Sequence, residues 1–390
     1  MPGLTEPAKQ LKTLTLILTL TGLLAMTACS GTDTQSDGMW RGRIEIEKGV
    51  ERIYNDWPIK HHPDSLLQIN FIEDLVISGQ SENTESAFPQ AYGIATGPNN
   101  EIYIADALNS RVLKFNEQGE FVASIGSKGH TPLQFQEPVD IAVDAEGKLY
   151  VVDYQIQRVT IFTPDLQLHD IFQVQVRQPR RIRVDAEGKI LIFAITQHDL
   201  IYKYETDGSF IESFYDPLES VRIMGDLDQL IAYSDAGIAT TDDGYVFISA
   251  RHPYRIRKYD RVSGLNLEFS RTTPFDLSMI DMGLASEEGV TPVGQSGTLA
   301  VLPDGRIMNV LQYQEFTVDG YNSLGRPQLK LTKMDRWVDL FTADGKWELS
   351  SKIDVPGFPV HTDKKGRVYF NVLSPPGIVR YTPEFPAGAE

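Results

Sequence analysis

The sequence predicts an all-β protein, a six-bladed β-propeller whose blades are four-stranded antiparallel sheets. A short hairpin unit recurs six times from about residue 90 onward. A second hairpin follows in most copies, so one unit supplies the four strands of a blade. The chain has 390 residues, 41% of them hydrophobic, which suits a closed ring that adds one sheet per unit within a single domain.

Residues 1–28 are predicted to form a signal peptide. Lys9 and Lys12 precede an apolar run that is interrupted by threonines, and a membrane-spanning helix needs about 20 apolar residues. The run ends in small residues before Cys29, the only cysteine of the chain. This segment resembles a bacterial lipoprotein signal, with Met26 where that motif usually has Leu. The resemblance implies cleavage before Cys29 and acylation of its thiol.

Lipidation of Cys29 would anchor the protein in the cell envelope, with the membrane itself as a partner. In a Gram-negative host, Ser30 fits sorting to the outer membrane, where the body would face the periplasm or the cell surface. The alternative is a buried structural cysteine after an ordinary signal peptide. No intramolecular disulfide can form, because the chain has no second cysteine.

Three segments follow the signal peptide. Residues 29–39 are polar and rich in Gly and Ser, which predicts a flexible tether. Residues 40–65 are predicted to hold a β-hairpin, because apolar and polar residues alternate on both sides of Lys48 and Gly49. Residues 66–390 form the predicted propeller.

Each repeat is a strand, a tight turn that holds Gly or Asn where a positive φ is needed, and a second strand. The six copies begin at Gly93, Asp140, Arg181, Gly237, Leu299 and Val360. The sixth unit lacks its outer strand before the sequence ends. We expect residues 66–77 to supply that strand and to close the ring, which protects the edges of the first and last blades.

The first two units carry the most specific pattern. The stretch 103–106 with 109–112, and the stretch 150–153 with 157–159, resemble NHL repeats. The body as a whole is similar to bacterial six-bladed propeller lipoproteins of the NHL type. The third unit lacks the Asp and Arg pair, and the later units diverge further. The resemblance therefore implies a fold more securely than a function.

The recurring pairs Asp106 with Arg111 and Asp153 with Arg158 are predicted to be structural. In a repeat fold, such a pair ties the second strand of a blade to the third through an ion pair or through carboxylate-to-backbone contacts. Aspartates in the turns are expected to cap backbone amides. These are Asp144, Asp185, Asp243 and Asp304.

The formal net charge of −17 argues against nucleic acid as a partner, because a negative field repels phosphate backbones. The sequence contains no Gly-x-Ser-x-Gly elbow, phosphate loop or dinucleotide fingerprint. It also lacks the Asp-x-Asp-x-Asp loop of a calcium site. No cofactor is predicted, although calcium or zinc could still be held by ligands from separate blades. His130, His252 and His361 are the candidates for such a site.

The predicted binding surface is the mouth of the central channel, where the innermost strands start. The candidate ligand-binding residues at or near those starts are Tyr92, Asp140, Arg180, Arg181 and His361. They offer charge and an aromatic face to a glycan, peptide or carboxylate. The alternative is a solvated lining of a water-filled channel. Two insertions, 272–295 and 314–333, are predicted to be long loops on the rigid scaffold.

The favoured function is a membrane-anchored binding or scaffolding propeller that presents one face to a protein, peptide or glycan, as part of an envelope assembly or alone. The alternative function is a metal-dependent, lactonase-like hydrolase or lyase with its site at the channel mouth. Enzymatic activity is thus left open, with the binding role preferred. We expect a monomer, because a closed ring does not need a second copy to cover its edges.

Overall fold

The computed structural model describes residues 42–55, 68–194, 196, 199–215, 236–250, 254–271, 291–321, 323 and 327–386. These residues form six antiparallel blades around a central channel, so the predicted fold class is confirmed. The innermost strands contact one another in ring order, and the sixth contacts the first. The predicted signal peptide and tether, with Cys29, lie outside the described residues.

Three strands precede the first repeat. Strands β1 (Gly42–Glu47) and β2 (Val50–Asn55) form a hairpin. Lys48 and Gly49 occupy its turn with φ values of 52° and 82°, which is the left-handed geometry that two-residue hairpin turns require. Strand β3 (Asn70–Ser78) follows.

The first three blades have four strands each. Blade 1 contains β4 (Gly93–Thr96), β5 (Ile102–Asp106), β6 (Arg111–Phe115) and β7 (Phe121–Ile125), with a 3-10 turn at Ala107–Asn109. Blade 2 contains β8 (Pro138–Val143), β9 (Leu149–Asp153), β10 (Arg158–Phe162) and β11 (Leu168–Gln173). Blade 3 contains β12 (Pro179–Val184), β13 (Ile190–Ala194), β14 (Ile201–Tyr204) and β15 (Phe210–Phe214).

Among the last three blades, blades 4 and 6 include strands from the N-terminal part of the chain, and blade 5 has longer strands. Blade 4 contains β16 (Ala236–Thr240), β17 (Val246–Ala250), β18 (Arg255–Asp260) and β19 (Gly264–Arg271). Blade 5 contains β20 (Thr291–Val301), β21 (Ile307–Tyr321), β22 (Pro327–Phe341) and β23 (Trp347–Ile353). Blade 6 contains β24 (Phe358–Thr362), β25 (Val368–Leu373), β26 (Pro376–Glu384) and β3.

Strand β3 lies at the outer edge of blade 6, where it pairs antiparallel with β26. The strand that the sequence places at 66–77 therefore occurs at Asn70–Ser78, in the position expected for closure. Arg380 on β26 donates to Asp74 on β3 at 2.6 Å, which adds a charged contact to the backbone ladder. The two ends of the propeller are joined in one sheet.

The N-terminal hairpin extends blade 4 to six strands, which the prediction of uniform four-stranded blades did not include. Strand β2 pairs in parallel with β19, the outer strand of that blade. Ile53 on β2 is 1% exposed and packs with Phe269 and Phe341. Asn55 donates to the carbonyl of Gly345 in blade 5 at 3.0 Å. The hairpin is thus built into the rim at blades 4 and 5.

The insertion 314–333 was wrongly predicted to be a long loop. Strands β21 and β22 run 15 residues each and pair with each other well beyond the blade. Of the other insertion, residues 291–295 belong to β20, and residues 272–290 lie outside the described residues. The error has a physical cause: Phe316, Thr317 and Val318 favour an extended backbone, and backbone pairing continues wherever two such segments face each other.

The hydrophobic core lies between adjacent blades. The second strands, such as β5, β9 and β13, are buried at every position. Each is covered on both faces by neighbouring sheets, so its sequence is almost continuously apolar. The predicted turn chemistry is confirmed, because Asn100 and Gly147 have φ values of 63° and 84°.

Within the described part of the chain, no helix has the length and apolar character needed to cross a bilayer.

Candidate functional site in the central channel

The central channel contains a cavity of about 160 Å³ near the ends of the innermost strands. Its wall consists of residues 94–96, 141–143, 183–184, 238–240, 298–301 and 361–364. The same part of all six blades is therefore represented. Every blade has the same strand order, so the six segments of the cavity wall lie at one end of the ring. The starts of the innermost strands lie at the other end.

One layer of the channel wall is chemically distinct. Each innermost strand has one residue that pairs with the second residue of the adjacent strand of the same blade. These six residues occupy equivalent positions in the six blades. They are Ala95, Ala142, Arg183, Ala239, Ala300 and His361. Blades 3 and 6 have two blades between them on either side. Arg183 and His361 therefore come from opposite walls, in a layer that small side chains otherwise leave open.

Arg183 is held by both neighbouring blades. Its Nη1 donates to Asp140 Oδ2 on blade 2 at 2.9 Å, and its Nε donates to the carbonyl of Ile238 on blade 4 at 3.2 Å. Asp140 Oδ2 also accepts the backbone N–H of Ile182 at 2.9 Å. These contacts fix the plane of the guanidinium and place a carboxylate beside its charge.

His361 bridges blades 6 and 1. Its Nε2 lies 3.1 Å from Thr96 Oγ1, and its ring centroid lies 5.5 Å from that of Tyr369. Burial in the channel and then the nearby charge of Arg183 lower the pKa of His361 to about 4, with Asp363 acting in the opposite direction. The imidazole is therefore neutral around pH 7.

The remaining polar groups divide into satisfied and unsatisfied ones. Asp363 Oδ1 accepts the N–H groups of Lys365 and Arg367, and Oδ2 accepts from Arg367 Nε at 2.7 Å. Thr240 Oγ1 donates to the carbonyl of Val184 at 3.1 Å. By contrast, Thr362 Oγ1 is buried without a hydrogen-bond partner among the described residues.

The structure brings two of the five predicted site residues together. His361 lines the cavity, and Asp140 contacts Arg183 behind the wall. Tyr92 is 37% exposed and precedes the start of β4. Arg180 is exposed beside the ring of Tyr154. Arg181, like these two, lies at the start of an innermost strand, away from the cavity.

Sequence reasoning missed Arg183. The motif Pro-Arg-Arg-Ile-Arg offers three arginines, and their order alone does not say which one faces the channel. The usable signal was the repeat alignment, in which Arg183 occupies a position that is alanine in the first two units. A charged residue at a position where other repeats have a small residue indicates a side chain that the packing of the blade does not require.

The described residues do not support the hypothesis of a metal site built from histidines of separate blades. Among the residues that the structure describes, no three His, Cys, Asp or Glu side chains converge as a metal site would require. His130 is exposed on a loop, and its carbonyl accepts from Arg158. His252 lies outside the described residues.

The repeated Asp and Arg residues of blades 1 and 2 make structural contacts, as predicted. Arg111 Nε donates to Asp106 at 2.9 Å, and its Nη1 reaches the carbonyl of Glu85 at 3.1 Å. Asp153 accepts backbone N–H groups on both sides of its strand, including that of Gln136 at 2.7 Å. These residues fasten loops and do not face the cavity.

Comparison with known proteins supports the same class of fold. The family model DUF5128, described as a 6-bladed beta-propeller, matches residues 94–174. That segment covers blades 1 and 2, the units with the most regular repeats. No curated protein matches the sequence.

Solved structures match over most of the chain. A member of the DUF4221 family from Bacteroides vulgatus has a TM-score of 0.56 and 9% identity, covering 83% of this chain and 99% of that one. A Bacteroides fragilis protein inferred to be exported has a TM-score of 0.52 and 12% identity, covering 86% and 99%. A virginiamycin B lyase from Staphylococcus aureus has a TM-score of 0.45 and 12% identity, covering 81% and 99%. At these identities the likeness concerns the fold alone.

Proposed function

We propose that the protein is a lipid-anchored binding propeller of the cell envelope. The observation that carries this proposal is the Arg183 and His361 layer. Two large polar side chains from opposite blades enclose a cavity whose other positions in that layer are alanine. Polar groups that are already fixed by partners lose little conformational entropy when a ligand arrives. A concave pocket with a few placed polar groups is the usual form of a ligand site.

The chemistry of the layer favours binding over acid–base catalysis. A general base works best with a pKa near the operating pH, and the pKa of His361 is lowered to about 4. Oδ2 of Asp140 and both carboxylate oxygens of Asp363 are occupied by fixed donors. These three oxygens cannot accept a proton from a substrate without losing those bonds.

The anchor follows from the N-terminal sequence. Cys29 with its lipobox-like context supports lipidation, and the likeness of blades 1 and 2 to NHL repeats supports kinship with envelope propellers. Residues 29–39 can extend to roughly 40 Å at about 3.5 Å per residue. The hairpin β1–β2 then joins the rim of blade 4. The propeller would stand off the membrane surface and present a channel end and its loops to a protein, peptide or glycan. In a Gram-negative host the outer membrane is the proposed location.

The test uses the full chain expressed with its own signal in a bacterial host and purified from membranes in mild detergent without chelators. Intact-mass spectrometry is expected to show lipid on Cys29, and the Cys29→Ala variant to be unlipidated and lost from the membrane fraction. Metal analysis and lactone and ester hydrolysis assays accompany it. Near-stoichiometric calcium or zinc together with hydrolysis would overturn the proposal in favour of a metal-dependent, lactonase-like hydrolase or lyase.

A further inference from the structure

We propose that the channel cavity is a binding site for a small monocarboxylate, with the guanidinium of Arg183 as its anchor. This inference rests on the binding function proposed above and names the ligand class for the same site. It follows from which hydrogen-bonding groups the cavity leaves unused, and from the size and polarity of its wall.

The unused groups are donors. Nη1 and Nε of Arg183 have protein partners, whereas Nη2 makes no hydrogen bond to any residue that the structure describes. The hydroxyl of Thr362 is likewise unpartnered within the described chain. When Thr96 donates to Nε2 of the neutral His361, the proton of that ring lies on Nδ1, which is then a third donor.

Three of the four carboxylate oxygens of Asp140 and Asp363 already accept hydrogen bonds. Asp140 Oδ2 accepts from both Arg183 and Ile182, whereas Oδ1 has no partner among the described residues and belongs to a residue that does not line the cavity. Asp363 accepts from two backbone N–H groups, from Arg367 and from Tyr369. A ligand that satisfies this cavity must therefore bring acceptors. A carboxylate does so in the planar geometry that matches the guanidinium fork.

Size and surface limit the rest of the ligand. A volume of about 160 Å³ holds roughly five water molecules at about 30 Å³ each, which suits an acid of a few carbon atoms. The wall is of mixed polarity, and its apolar residues include Ala95, Ala142 and Ile238. A short hydrocarbon tail would be accommodated there, whereas a second charged group would find none of the three unused donors left.

The mouth of the cavity does not oppose an anion. Lys364 lines it with a side chain that is 77% exposed, and Asp242 lies 3.0 Å away as its counter-ion. The pair is locally neutral. The overall negative charge of the protein is screened over about 8 Å at physiological ionic strength.

The experiment is isothermal titration calorimetry on the full chain in detergent. The probes are acetate, propionate and butyrate, with propionamide as the neutral isostere of propionate. At least one carboxylate is expected to bind at a single site, and propionamide is expected to bind at least about tenfold more weakly, because it lacks the charge that strengthens the hydrogen bonds.

Three variants locate the site. Arg183→Met combined with Asp140→Asn removes the anchor without leaving a buried charge unpaired, and a loss of affinity of about tenfold or more is expected. Thr362→Val removes one donor that has no described partner, so the fold is retained and affinity falls by a few-fold. Arg180→Ala is the matched control, because this exposed arginine of the same strand lies away from the cavity; affinity should be unchanged.

The proposal is overturned if none of the three carboxylates binds, if propionamide binds as tightly as propionate, or if the Arg183→Met/Asp140→Asn protein binds as well as the wild type. Should the double variant fail to fold, the Thr362→Val and Arg180→Ala pair decides, with equal affinities counting against the site. A lipidated protein without hydrolase activity that binds no carboxylate refutes the ligand class alone. Metal-dependent hydrolysis would refute the binding function itself.

Discussion

Blades 1 and 2 differ from blades 4 and 5 in the polar contacts that fix their strands and loops. In blades 1 and 2, an aspartate at the end of the second strand accepts hydrogen bonds from nearby groups, and an arginine five residues later donates to loop carbonyls. Asp153 accepts from four backbone N–H groups, none more than 17 residues away in the chain. The partners are local, and the motif repeats.

Blades 4 and 5 are joined by a buried network instead. Arg271, the last residue of β19, donates through Nε and Nη2 to both carboxylate oxygens of Asp339 on β22, each at 2.6 Å. Tyr254 donates to Asp339 at 2.8 Å and accepts from Asn309 at 3.1 Å. Ser350 donates to the same carboxylate. The side chains of Arg271 and Asp339 are 1% and 0% exposed.

The comparison shows that one architecture can be secured by two kinds of polar contact. A local motif that caps backbone groups can be copied from blade to blade, because each copy brings its own partners. A network across a blade boundary depends on residues far apart in sequence, so it is not copied with the repeat. Removing one partner from the buried network costs more stability, because the remaining charge is left where water cannot reach it.

The largest effect is expected for Asp339→Ala. The substitution removes the bidentate carboxylate partner of the buried Arg271, and losing one member of a buried ion pair typically costs about 3–5 kcal/mol of unfolding free energy. Urea unfolding followed by tryptophan fluorescence measures the loss. Lys364→Ala is the matched control, because it breaks an ion pair whose members are 77% and 88% exposed and should cost less than about 1 kcal/mol. Equal losses would break the distinction between buried network and surface pair.

A smaller effect is expected for Asp153→Ala in blade 2. Several backbone N–H groups lose their acceptor, but water can reach part of the loop, so we expect a loss of about 2–3 kcal/mol. Asp165→Ala, at an exposed turn of the same blade, should change stability by no more than about 0.5 kcal/mol. The same urea titration measures both. A loss for Asp153→Ala as large as that for Asp339→Ala would show that local and long-range contacts are equally critical.

The smallest effect concerns the channel contact between blades 6 and 1, and it appears as a pH dependence. The pKa of His361 is lowered from its ordinary 6.5 to about 4, so between these values the unfolded chain binds the proton more readily than the folded one. Stability should therefore fall as the pH falls through this window, by about 2 kcal/mol or less between about pH 7 and pH 5.

Urea titrations at several pH values compare His361→Gln with the wild type. The variant should lose this share of the pH dependence, because glutamine does not titrate. His130→Gln, a substitution of an exposed histidine, should keep it. A pH dependence that is identical in all three proteins would contradict the assignment to His361.

Much of the fold could be predicted because its signals are local. The turn at Gly147 needs a positive φ, its neighbour Asp144 caps the turn by accepting the N–H of Lys148 at 2.8 Å, and both recur along the sequence. The attachment of the hairpin β1–β2 to blade 4 was not predictable in this way, because a parallel pairing with β19 leaves no turn between the strands. The extended strands of blade 5 were missed for a related reason: a loop and a projecting hairpin have similar sequences until their backbones pair.

The sequence by itself determined the number of blades, the chemistry of their turns, the apolar second strands, and the character of the residues around Cys29. Only the tertiary structure decided which end of the channel holds the cavity, and that Arg183 rather than Arg180 or Arg181 faces it. The physical reason is ring closure. Periodicity is set by neighbouring residues. The placement of Arg183 and His361 around one cavity, and the contact of Arg271 with Asp339, depend on how six sheets pack around one axis.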